Sequence, residues 1–198
     1  MLAPPQHTSV AAGQVEVMEV FSYGCIVCNR FQPLVEKLKH SLPPNAQFVL
    51  LPASFIASED WPMFQRAYLA AKTLGISERT HQLMYDAIWK TGELAISDPV
   101  THRLRSSMPT IEDAARFYER EAGIQAGTFL DMANSFSVDL KMKVTDAQVV
   151  AMQVASTPTF IVNGKYRVIL DSLTAQGEPF ADQLIELINY LVGKESAR

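Results

Sequence analysis

The chain has 198 residues, 48% hydrophobic and 19% charged, enough for a full hydrophobic core as one domain or as one domain carrying an insertion. A net charge of −4 argues against an electrostatic grip on nucleic acid. No apolar run approaches the roughly 18 residues of a membrane span, so neither a nucleic-acid partner nor a membrane-embedded chain is expected. Two cysteines cannot make a disulfide framework, and Met1-Leu2-Ala3-Pro4-Pro5-Gln6 has neither the basic nor the apolar region of a signal peptide.

The first predicted element is a strand over Val15–Phe21. Val15, Val17, Glu19 and Phe21 share one face and Glu16, Met18 and Val20 the other. Mostly apolar residues on both faces indicate an interior strand. The two cysteines follow at once, in Phe21-Ser22-Tyr23-Gly24-Cys25-Ile26-Val27-Cys28. Phe31, Leu34, Val35 and Leu38 then recur at helical spacing up to His40, with Pro33 expected to kink the helix. Residues 47–51 read as a second strand, and the right-handed crossover rule makes the pairing parallel there.

From residue 58 to 152 the apolar period is 3.6 almost throughout. Phe64, Ala67, Ala71 and Leu74 mark one helix, closed by Gly75; Leu83, Met84, Ala87 and Ile88 mark another, ending at Thr91-Gly92. Thr110 with Asp113 resembles a capping box before Ile111, Ala114, Ala115 and Tyr118, and Gly123 closes that helix. Thr128 with Asp131 is expected to open a short helix, and a longer one covers 137–152. Residues 97–109 carry no defined signal. Strands return with a hairpin of Thr159–Val162 and 165–169 about Asn163-Gly164, a pair suited to a type I′ turn. Phe180, Leu184, Leu187, Ile188 and Leu191 give a final amphipathic helix. The simplest architecture is an α/β domain, 1–57 and 140–198, split by a helical insertion at 58–139.

A thiol at the start of a helix faces unpaired backbone N–H groups and the positive end of the dipole, and both favour the thiolate. Cys25 is therefore the candidate nucleophile and Cys28, one turn deeper, the resolving thiol. Zinc would need two more ligands, and His7, His40, His81 and His102 show no ligand spacing, so no metal is expected. Thr157-Pro158 precedes the hairpin and has two readings. It is either a trans proline starting an edge strand or a cis proline exposing the backbone of Thr157 to an extended substrate. Glu19 also has two: a strand-end carboxylate in solvent, or a desolvated one with its pKa raised that relays the Cys28 proton. Trp61 and Trp89 read as core, His81 as a helix-surface histidine, and Asp146 as a solvated or capping group.

The segments Glu19-Val20-Phe21-Ser22-Tyr23-Gly24-Cys25-Ile26-Val27-Cys28 and Thr157-Pro158-Thr159-Phe160-Ile161-Val162-Asn163-Gly164-Lys165-Tyr166 together resemble the DsbA family of thiol–disulfide oxidoreductases. The resemblance implies a thioredoxin fold with an inserted all-helical domain. It makes Cys25 the attacking cysteine, Cys28 the resolving one, Pro158 the cis proline with Thr157 meeting substrate, and Glu19 the buried acid beneath the pair. No organic cofactor is implied. The implied partners are unfolded or partly folded cysteine-containing proteins and a membrane quinone-linked reoxidising partner, in a bacterial periplasm. Two departures bear on chemistry. Ile26-Val27 stands where many family oxidases have Pro-His, so the Cys25 thiol is expected below a free thiol's pKa but less depressed than in those relatives. Thr157 stands where oxidases often carry Val. The reading is a disulfide-introducing oxidase; the alternatives are an isomerase or reductase on the same scaffold, a kappa-type glutathione transferase, and a non-enzymatic peptide-binding chaperone.

Overall fold

Every residue of strand β1 (Val15–Phe21) is buried, as a strand covered on both faces requires. The computed structural model describes residues 1–173 and 178–196. Among the described residues it forms a sheet of order β2-β1-β3-β4, with β2 at Ala46–Pro52, β3 at Thr159–Val162 and β4 at Tyr166–Arg167. β1 and β3 run antiparallel, with Val17 opposite Val162, Glu19 opposite Phe160 and Val20 opposite Thr159. The hairpin turn is the expected one: Asn163 and Gly164 are both left-handed, at φ 52° and 61°. β4 is shorter than the 165–169 predicted. Lys165 is taken up by the turn through its N–H to Val162 O, and the chain passes into a 3₁₀ turn at Leu170–Ser172.

The chain divides into two compact units, Met1–Phe21 with Arg30–Leu51 and Gln148–Arg198, and Ser22–Asn29 with Pro52–Ala147. In the first, helices α1 (Ile26–Ser41) and α7 (Glu178–Ser196) supply Val35, Leu38, Leu184, Ile188 and Val192 to a core with Val15, Val17, Phe160 and Val162 of the sheet. Each such side chain, fully buried, stabilises by about 1.5–3 kcal/mol. Pro33 lies inside α1, which continues through it although proline has no N–H for the Asn29 carbonyl.

Glu195 near the end of α7 ties the helix to the hairpin. It accepts from Asn163 Nδ2 at 3.0 Å, Lys165 Nζ at 2.8 Å and the Tyr166 hydroxyl at 3.0 Å. Burial alone would raise its pKa. The bonds from Lys165, Asn163 and Tyr166 outweigh that and hold it down at about 2. A carboxylate depressed below its unfolded value of about 4.3 stabilises the fold fully above that pH and loses the contribution as pH falls toward 2. Glu195→Gln is expected to lower stability by about 1–2 kcal/mol at neutral pH and to flatten the acid limb between about pH 5 and 2. Urea unfolding across that range checks it; an unchanged acid limb would contradict it.

The second unit holds α2 (Trp61–Thr73), α3 (Ser77–Trp89), α4 (Ile111–Ala122), α5 (Ala126–Ala133) and most of α6 (Phe136–Ala151). The Thr110–Asp113 capping box forms, and Gly123 caps α4 at φ 67°. Thr128 does not open α5: the helix begins at Ala126, whose N–H is taken by Glu119 Oε1 from the preceding helix at 3.1 Å. Leu83 is 38% exposed, and α3 buries Thr80, His81, Met84, Tyr85, Ala87 and Ile88 instead. Residues 97–109 contribute one isolated bridge, Ser97 to Leu104.

Candidate active site

The loop Ser22-Tyr23-Gly24 leads from β1 to the cysteines. Ser22 organises it with two acceptors: its carbonyl takes the Cys25 N–H at 3.1 Å and its hydroxyl oxygen takes the Gly24 N–H at 3.2 Å. The Cys25 carbonyl then accepts from Asn29 N–H at 3.1 Å, which closes the first turn of α1. Cys25 so occupies the N-cap place, and its Sγ accepts the Cys28 N–H at 3.2 Å, as a serine or aspartate oxygen would. The first turn of α1 carries no acidic residue and the last carries Lys39 and His40, so the helix charges leave its positive end to the sulfur. Cys25 is 8% exposed and Cys28 fully buried.

Gly24 is needed for close approach. A Cβ there would lie 2.6 Å from Cδ1 and Nε1 of Trp61 and 3.2 Å from the Glu59 carbonyl. Trp61 is buried and donates Nε1–H to Glu59 Oε2 at 3.1 Å. Between them, Asp60 sits in the left-handed region at φ 58°, and burial pushes its carboxyl up to about 6.

Helix α3 meets the same loop. The Tyr85 hydroxyl donates to Ser22 O at 3.3 Å, Trp89 Nε1–H donates to Tyr23 O at 2.9 Å, and the Tyr23 hydroxyl pairs with His81 Nδ1 at 3.0 Å. His81 is therefore no surface histidine: it is 7% exposed, ringed by Tyr23, Tyr68 and Tyr85. Burial also holds the Tyr23 phenol protonated, with its pKa well above the usual tyrosine value. Asp146 is half-buried, and its Oδ1 accepts from Ser54 Oγ and Gln65 Nε2, each at 2.7 Å.

The other sequence-predicted residues lie in the first unit. Glu19 is fully buried on the face it shares with Val17, directly opposite Phe160, so the solvent-exposed alternative fails. Glu16, on the other face of the same strand, is also buried and accepts the Ser9 N–H and hydroxyl on Oε2 at 2.7 and 2.6 Å. The Thr157–Pro158 peptide is cis, with Pro158 buried immediately before β3, where no ladder N–H is needed. Among the described residues no group of three or more His, Cys, Asp or Glu side chains is placed to hold a metal ion, and no helix is long and apolar enough to cross a membrane.

Two cysteines spaced across one helical turn, with a backbone N–H holding the first sulfur, following an interior strand of a four-stranded sheet, define a thioredoxin-fold thiol–disulfide oxidoreductase. The family described as Thioredoxin matches residues 10–176. The thiol:disulfide interchange protein DsbA of Pseudomonas aeruginosa is 31% identical over 185 residues, covering 93% of this chain and 78% of that protein. The DsbA of Azotobacter vinelandii is 30% identical over 192 residues, covering 96% and 80%. Among solved structures, a single-residue variant of P. aeruginosa DsbA matches with a TM-score of 0.82 at 30% identity, covering 100% of this chain and 95% of that one. The oxidoreductase DsbA of Xylella fastidiosa gives 0.81 at 28%, covering 100% and 94%. The chain belongs to the DsbA family, and its fold is the thioredoxin fold with a helical insertion that the sequence led us to expect.

Proposed function

We propose that the chain introduces disulfides into unfolded or partly folded cysteine-containing proteins in the bacterial periplasm, with residues 58–139 as the insertion in its thioredoxin domain. The observation that carries this is the Cys28 N–H aimed at Cys25 Sγ at 3.2 Å, because a hydrogen bond from a helix start stabilises the thiolate more than the thiol. In the oxidised protein a client thiolate attacks Cys25 Sγ. The Cys25–Cys28 bond breaks, a client–Cys25 disulfide forms, and Cys28 leaves as thiolate. A second client thiolate then attacks the client sulfur of that mixed disulfide and Cys25 leaves as thiolate. Two electrons pass from the client to the pair, the client keeps the new disulfide, and the protein is left as the dithiol.

Glu19 gives or takes the Cys28 proton in this reading; its full burial supports the role because a proton exchanged there does not equilibrate freely with bulk water. The Thr157-Pro158 segment presents the backbone of Thr157 to an extended client, a role supported by the absence of any N–H on Pro158 to compete for it. Reoxidation falls to a membrane quinone-linked partner, consistent with the kinetically maintained oxidation of the periplasm.

Trapping tests the assignment of the sulfurs. Cys28→Ser, offered a client that already holds a disulfide, is expected to accumulate that client joined through Cys25 as a reductant-sensitive adduct: the Cys25 thiolate attacks one client sulfur, the other leaves as thiolate, and no Cys28 thiol is present to displace Cys25 again. An adduct mapped to any other atom would refute the assignment. The direction of electron flow is read from the equilibrium with glutathione: a potential near the thioredoxin value of about −270 mV would make the chain a reductase instead.

A further inference from the structure

We propose that helix α3 positions Cys25, acting through the loop before it, and so sets how strongly its thiolate is stabilised. The inference rests on the reading of Cys25 as the attacking sulfur. His81, Tyr85 and Trp89 recur every fourth residue along one face of α3, and each bonds a different group of Ser22-Tyr23. Tyr85 and Trp89 both donate to backbone carbonyls, so what they hold is the path of the chain and not a replaceable side chain. The Ser22 carbonyl that Tyr85 bonds is the one that accepts the Cys25 N–H. Fixing that oxygen fixes the amide of Cys25 and, through Cα, the Cβ from which Sγ meets the Cys28 N–H at 3.2 Å. His81 and the ring of Tyr23 anchor the other side of the turn, and Trp61 against Gly24 leaves the loop no room to rotate.

The contact between Cys28 N–H and Sγ is worth more to the anion than to the thiol. Loosening the loop spreads the sulfur over more positions, weakens that contact on average, and removes stabilisation from the reduced thiolate alone. The disulfide form does not depend on it. At a pH where the reduced Cys25 is ionised, the thiolate therefore becomes harder to form and the disulfide harder to reduce, by the same factor.

Tyr85→Phe and Trp89→Phe, separately in the full chain, remove the donors. The thiolate absorbance against pH and the equilibrium constant with glutathione are measured for each, with Met84→Ala as control. Met84 is fully buried on the same helix, and its truncation leaves a cavity without removing a donor to the loop. Each phenylalanine variant is expected to shift both constants about threefold to tenfold, together and toward thiol and disulfide, as the loss of one hydrogen bond implies. Met84→Ala should lower the unfolding temperature further yet keep both constants within about twofold. Unchanged constants in both phenylalanine variants, or an equal shift in Met84→Ala, overturn the proposal. If the wild-type thiol at position 25 resists alkylation, the site reading falls and the positioning role with it; a reactive wild type with unmoved variants overturns the positioning role alone.

Discussion

Replacing Cys25 by serine is expected to leave the protein folded and to cut disulfide exchange with a reduced client at least about a thousandfold. A hydroxyl can neither form the Cys25–Cys28 disulfide nor ionise to a useful fraction near neutrality, so both the oxidised state and the nucleophile are lost together. Stability should fall far less than activity. Cys25 fills an N-cap position, where its Sγ accepts the N–H of Cys28, and a serine oxygen is a preferred acceptor in that place. Serine keeps that bond but loses its charge-assisted part, so Cys25→Ser should be less stable than the reduced wild type by about 1–2 kcal/mol at neutral pH and still fold. Loss of activity in a folded protein separates chemistry from folding. Exchange persisting above about a tenth of the wild-type rate would assign the attack to another atom, since removal of a true nucleophile leaves far less. Glutathione-conjugating activity retained in the same variant would favour the transferase alternative.

What the sequence disclosed follows from how local each signal is. The Thr110–Asp113 capping box and Asn163-Gly164 each act within five residues, and each formed as read. The interior character of β1 was equally plain, because an apolar run on both faces leaves no side for water. The loop clamp was not legible. Tyr23 and His81 are 58 positions apart, and no pattern on α3 announces that a histidine will be satisfied by a distant phenol. Periodicity even misled there. Leu83 competes with His81 and Tyr85 for the buried face, and it loses because the polar pair finds hydrogen-bond partners in Tyr23 and Ser22. The start of α5 failed for the same reason, since its cap comes from Glu119 on the preceding helix and not from Thr128 within. Glu19 was half legible: alternation placed it on the Val15–Val17 face, but only the pairing with Phe160 makes that face fully buried.

Gly24→Ala carries the second large effect, and its size is set by one contact. The added methyl would stand 2.6 Å from two atoms of the Trp61 indole, well inside van der Waals distance, and 3.2 Å from a backbone oxygen. The indole cannot swing away cheaply. It is buried, its N–H is committed to Glu59, and its ring lies against Phe55 at 5.0 Å between centroids. The loop must yield instead, and it carries Cys25. Overpacking of this kind costs about 1–3 kcal/mol. A displacement of about 1 Å at the sulfur should also slow client exchange about 10- to 100-fold. A double-mutant cycle isolates the cause. Trp61→Leu empties the space the methyl needs, so Gly24→Ala made in that background should cost only a few tenths of a kcal/mol and restore most of the lost rate relative to Trp61→Leu alone. If the alanine instead costs the same with and without the indole, the demand for glycine lies in the backbone of the turn and not in the tryptophan beside it.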